Sequence, residues 1–190
     1  ALGSWIQYGL GTSNPDLPAF VVLANGRSTG GGGRGQVIWS SGFLPAVYQG
    51  TAFRQGDSPI LHLDRPAGIS DAEQKNTLDL LKSLNQRTAA RYPADTELEA
   101  RLRSYDLAYR MQTSAPEAVD LSKETAATKA MYGLDDKSTV EYGTNLLRAR
   151  RLVEKGVRFV HVISGSPDDS LPDWDAHNNI EKNHGTMARL

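Results

Sequence analysis

The chain predicts an α/β fold: a mostly parallel sheet flanked by helices, with a helical middle region. Three observations predict it. Phe20-Val21-Val22-Leu23 is a short continuous apolar run, the signature of a buried strand. Residues 69–156 carry helical periodicity punctuated by caps and breakers. A helix pattern from Ser138 to Lys155 then stops at Gly156 and feeds the apolar run Val157-Arg158-Phe159-Val160-His161-Val162-Ile163. A single partial domain is expected over 1–190, loop-rich with short strands over 1–68 and helical over 69–156. Residues 157–190 hold a strand, a candidate metal loop and the start of a helix, with no repeat and no dividing linker.

Composition narrows the function classes. With 21 Lys+Arg against 22 Asp+Glu the net charge is −1, so there is no basic excess to suggest nucleic-acid binding. No apolar run approaches the roughly 20 residues that span a bilayer. The absence of cysteine excludes disulfides and thiolate chemistry but leaves the compartment open. Residue 1 is Ala, no signal peptide is in view, and the chain stops at Leu190 in the first turns of a helix, so an internal piece of a longer protein is expected.

Taken in order, Leu2 to Leu10 starts a short helix, and Asn14-Pro15-Asp16 with Pro18 marks a turn before the first strand. Gly30 to Gly35 interrupts the chain and no helix is expected after it. Trp39 to Phe53 has no clean period and reads as an ordered loop; Ile60 to Leu63 reads as a strand or an extended segment. Ser70 and Glu73 fit a capping box, in which each side chain satisfies an amide the helix leaves unpaired. Leu78, Leu81 and Leu84, with Leu80 beside them, form an apolar stripe on that helix, and Pro93 ends it. A second helix starts at Asp95 or Thr96, carries Leu98, Leu102, Tyr105 and Tyr109, and is expected to end at Pro116; the two suit a helical hairpin. A short helix over 122–132 stops at Gly133. Ser138 and Glu141 repeat the capping-box spacing, and Tyr142, Leu146, Ala149 and Val153 line one face of the last long helix.

The candidate chemistry follows the last strand, since a parallel sheet works just past the carboxyl ends of its strands. The loop there reaches Asp173-Trp174-Asp175-Ala176-His177-Asn178. Carboxylate oxygen and imidazole nitrogen suit a divalent cation, and Asp175 and His177, two residues apart in an extended loop, point the same way. Two ligands do not complete a site, so others must come from elsewhere. The bland alternative is a solvated loop whose aspartates cap the terminal helix. His184 suits the surface, His161 a core position bonded to a neighbour, and His62 has no assigned role. The glycine run lacks the Lys-Ser/Thr that a P-loop requires and reads as a surface loop. Ser40, Ser41 and Thr51 sit in no nucleophile elbow. Arg148, Arg150 and Arg151 read as a solvated helix face, with one or two free to pair with phosphate or carboxylate.

Several segments are more specific in combination. They are Gly3-Ser4-Trp5-Ile6 with Tyr8-Gly9-Leu10-Gly11, Leu17 to Leu23, Trp39 to Thr51, Ser104 to Gln112, Ala149 to Val160, and Trp174-Asp175-Ala176-His177. In this order the chain resembles domain-of-unknown-function family 1501 along essentially its whole length. This is the sulfatase-like group, abundant in planctomycetes and related bacteria, of the alkaline phosphatase superfamily. The resemblance implies a partial alkaline-phosphatase/sulfatase-like fold and a two-metal hydrolase ancestry. Its substrates would be small-molecule or glycan sulfate or phosphate esters, and members are often exported to the periplasm or cell exterior. It implies a metal-ligand role for Asp175 and His177, with Asp173 a rival because the superfamily spacing is usually Asp-x-x-x-His. The divalent metal ions, whether zinc, calcium, magnesium or manganese, are not distinguished. The family's Gly-Gly-Pro-Ser segment, its first ligand Asp and the nucleophile segment would lie before Ala1. Its Gly-Glu-Phe-Gly-Arg-Thr-Pro and Asp-His motifs would lie after Leu190. The segment alone is therefore expected to hold no stable two-metal site. A non-catalytic member, using residues 30–53 as a binding or structural surface, is the alternative.

Overall fold

A computed structural model describes residues 1–24, 34–56, 58–60, 63–163 and 178–188. After helix α1 (Leu2–Leu10), strand β1 (Phe20–Ala24) forms the middle of a three-stranded sheet and is buried at every residue. Helix α2 (Arg34–Trp39) and a 3₁₀ turn (Ala46–Tyr48) lead to β2 (Thr51–Phe53). Helices α3 (Asp71–Ala89), α4 (Thr96–Val119), α5 (Ala126–Met131) and α6 (Val140–Glu154) follow, then β3 (Phe159–Ile163) and α7 (Ile180–Met187). The sheet order is β2-β1-β3 and both flanking strands run parallel to β1. Val22 stands opposite Ala52 and His161, and Ala24 opposite Ile163, so the carboxyl ends of the strands share one edge.

A parallel sheet needs cover on both faces. On one face Val21, Leu23 and Phe53 pack with Met111, Ala115 and Ala118 of α4 and Leu152 of α6, and Val160 and Val162 lie against this cluster. On the other face the Phe20 ring meets Phe159, centroids 5.5 Å apart. A Cβ on Gly3 or Gly50 would stand 2.5 or 2.7 Å from the Phe20 ring, so glycine is what lets α1 and the approach to β2 close over it.

The expected capping box of α3 is present: Ser70 accepts from the Glu73 amide, and Glu73 accepts from the Ser70 amide at 2.8 Å. The α3–α4 hairpin is present too, with Lys82 on Asp106 at 3.2 Å. The leucine stripe of α3 fares differently. No α3 residue is buried, and Leu80, Leu81 and Leu84 are exposed, because α3 leans on the outer half of α4 and meets Leu102 and Tyr105 rather than the sheet.

Several other expectations are corrected. Pro116 does not end α4; the helix runs on to Val119, and the Asp120 amide still bonds the Pro116 carbonyl at 3.0 Å. Burial of Ala115 and Ala118 on either side holds that last turn despite the missing N–H. Ser138 does not cap α6. Its amide and hydroxyl both bond Asp136 Oδ1, at 2.8 and 2.7 Å, and Thr139 occupies the cap position with its hydroxyl donated to the Gly133 carbonyl at 2.6 Å rather than accepting from a helix amide. The buried face of α6 is Gly143, Asn145, Leu147, Arg148 and Leu152, while Leu146 and Val153 are exposed. Gly143 explains the rotation: the Tyr132 carbonyl lies where its Cβ would be, which fixes the side of α6 that meets the body. A helix, α2, does follow the glycine run, and β2 lies inside the stretch read as loop. Ile60 and Leu63 belong to no strand. The stops at Gly133 and Gly156 hold, with φ of +71° and +91°.

Candidate functional site

The carboxyl edge of the sheet is the place to look, and β3 delivers the chain to it. After helix α6 the Val157 amide bonds the Leu152 carbonyl at 2.9 Å, and β3 then runs beside β1 to Ile163. Residue 164 begins the segment that carries Asp173, Asp175 and His177, all outside the described residues. Gly30 to Gly33 and His62 lie outside them as well. The chain returns at Asn178, directly after His177. Asn179 takes a φ of +47°, and Asn183 on the first turn of α7 bonds the Asn178 carbonyl through Nδ2 at 2.6 Å. On α7 Met187 is buried, 4% exposed. In the sequence the candidate ligands thus lie after β3 and before α7. Among the described residues no group of three His, Cys, Asp or Glu is gathered for a metal ion.

The loop leaving β2 at the same edge is fastened by α6. The Arg54 amide bonds the Pro59 carbonyl at 2.7 Å, Arg148 Nη2 donates to the Gly56 carbonyl at 2.8 Å, and Gln55 Nε2 donates to Glu141 Oε2 at 3.3 Å. Arg148 and Asn145 are 6% and 2% exposed. A buried guanidinium is costly without partners, so this one has a structural reason to sit against a loop carbonyl. The sequence placed Arg148 on a solvated face and singled out no role for Asn145; the one signal that could have found them was their spacing of three, which puts them on one face with Leu152.

Arg150 and Arg151 take carboxylate partners, one of the two options left open for them. Both bond Glu124, whose side chain is 10% exposed, at 3.1 and 2.7 Å. Arg151 also donates to the carbonyls of Glu117 and Ala118, satisfying the end of α4. The Arg151 hydrogen bond holds the Glu124 carboxyl below the usual carboxylate range. This cluster ties α6 to α4 and α5 and is structural. His161 is half-buried in β3, its ring 6.4 Å from Phe159, and His184 is half-buried on α7. Ser40 and Ser41 stand in the segment before the 3₁₀ turn, where the Ser40 carbonyl accepts from Ser4 Oγ at 3.1 Å. A groove of about 540 Å³ is lined by Asp16, Asp64, Arg65, Asp71, Tyr109 and Arg110. Its charges answer each other, Arg65 to Asp71 and Arg110 to Asp16, each at 3.8 Å.

Over residues 1–190 the chain matches the family described as Protein of unknown function (DUF1501). No curated protein and no solved structure matches it.

Proposed function

The chain belongs to the DUF1501 family, and on that premise we propose that it is part of a sulfatase-like, metal-dependent hydrolase of the alkaline phosphatase superfamily. Its substrates would be small-molecule or glycan sulfate or phosphate esters, met in the periplasm or outside the cell. One observation carries the reading. A parallel sheet runs β3 to its carboxyl edge, and in the sequence Trp174-Asp175-Ala176-His177 follows that strand and precedes α7. Oxygen and nitrogen donors two residues apart fit a borderline or hard divalent ion. Asp175 and His177 would hold one ion, with Asp173 as the rival carboxylate, and the other ligands and the nucleophile would come from outside residues 1–190. When bound, such an ion polarises an ester oxygen and favours the attacking nucleophile. The chain's own residues supply the frame: Arg148 holds the β2 loop in place.

The test uses the protein as purified from its source. Hydrolysis of an aryl sulfate or aryl phosphate, lost on chelation and in His177→Ala, is the expected result. Turnover that survives both contradicts the reading. One observation favours a second reading, a non-catalytic binding or structural module: Trp5, Tyr8 and Phe43 are exposed, with Phe43 wholly in solvent. An apolar residue at the nucleophile position of the whole protein would favour it.

A further inference from the structure

Helix α3 rests on the body along one face. Its half-buried residues, Gln74, Leu78, Asn85 and Ala89, lie one or two turns apart, and no residue of the helix is buried. Its main partner is α4. Lys82 meets Asp106 at 3.2 Å with the two side chains 50% and 45% exposed, and the Tyr109 hydroxyl donates to Asp71 Oδ1 at 3.4 Å. An ion pair so open to water contributes little and is screened by salt. The second half of α4 is held differently: its Met111, Ala115 and Ala118 belong to the core on the sheet.

What lies beneath α3 weakens its seat. A cavity of about 320 Å³ is lined by Gln74 and Leu78 of α3, Thr51 of β2, and Tyr105, Ala108 and Met111 of α4. Side chains that border a void lose dispersion contacts on that side. Gln74 Oε1 is buried there with no hydrogen-bond partner among the described residues. A buried acceptor without a partner favours any state in which it meets water. Each end of the helix also meets a joint. Gly68, two residues before the Ser70 cap, has φ of +84° and open space where a Cβ would stand. Beyond Ala89 the chain passes through a turn at Pro93, closed by the Asp95 amide on the Tyr92 carbonyl at 3.0 Å.

We infer that α3 is a strap: it lifts from α4 and β2 as one unit while α4 stays on the sheet, and so opens the cavity to solvent. A 19-residue helix without a partner is marginal in water, so each opening melts it and is read as amide exchange. Residue-resolved hydrogen exchange on the protein as isolated from its source tests this. The interior amides of α3, Leu78 to Leu84, should share one protection factor, at least about a hundredfold below that of Met111 and Ala115. Lys82→Met should lower the α3 value by a further factor of about two to five and leave Met111 and Ala115 unchanged. Protection of α3 equal to that of Met111 and Ala115 would overturn the inference, because α3 would then open only with the core. Protection that falls smoothly from the middle of α3 to its ends would overturn it in favour of fraying. Faster exchange at Met111 and Ala115 in Lys82→Met would overturn it in favour of a hairpin that unfolds together with the sheet.

Discussion

Helices α3 and α6 carry similar apolar spacing and meet opposite environments. In α3 the leucines Leu80, Leu81 and Leu84 are exposed, and no residue of the helix is buried. In α6 Leu147 and Leu152 are fully buried, and Arg148 and Asn145 are drawn in beside them. The difference lies in the neighbour. α6 lies on the sheet and holds the β2 loop, whereas α3 leans on the outer half of α4. Periodicity shows that a helix has a face; only the tertiary partner decides whether that face is worth burying.

The contrast ranks the effects of mutation. Leu152→Ala removes a fully buried side chain from the shared core and should cost about 2–5 kcal/mol in denaturant unfolding. A cost below about 1 kcal/mol would mean that α6 is not part of the core. Gly143→Ala drives a methyl into the Tyr132 carbonyl and should cost about 1–3 kcal/mol, read as a lowered melting temperature. Ser70→Ala breaks the capping box and should cost about 1 kcal/mol, seen as faster amide exchange in the first turn of α3 with the sheet amides unaffected. Leu81→Gln should stay within about 0.5 kcal/mol of the parent; a core-sized loss would place the hairpin leucines in an interface.

Acid sharpens the same contrast. The Glu124 carboxyl is lowered in the folded state, first by its Arg151 hydrogen bond, so it binds its proton less readily than in the unfolded chain. Its contribution is present above the unfolded carboxylate pKa and is lost as pH falls through the lowered value. Glu124→Gln should therefore flatten the acid limb of a stability–pH curve. An unchanged limb would mean that the Arg150–Arg151 clamp does not couple α6 to α5.

Much of this frame was legible in the sequence because local chemistry dictated it. The Ser70–Glu73 box, the Gly133 and Gly156 stops and the β1 and β3 runs each rest on a few adjacent residues. What escaped depended on distant partners. β2 is too short to show a period, and only pairing with β1 makes it a strand. The helix face at Gly143 is set by a carbonyl eleven residues earlier, and Ser138 yields its cap role to a bond with Asp136. Helix α4 passes Pro116 because the sheet buries Ala115 and Ala118. Of the candidate site, the sequence held the motif and the strand that leads to it.

The most direct test is metal content. Protein isolated from its source without chelators, analysed by plasma mass spectrometry beside its His177→Ala and Asp175→Ala variants, should carry a divalent ion that either substitution depletes. A native protein free of divalent metal, or variants that retain it in full, would contradict the assignment of Asp175 and His177 as ligands.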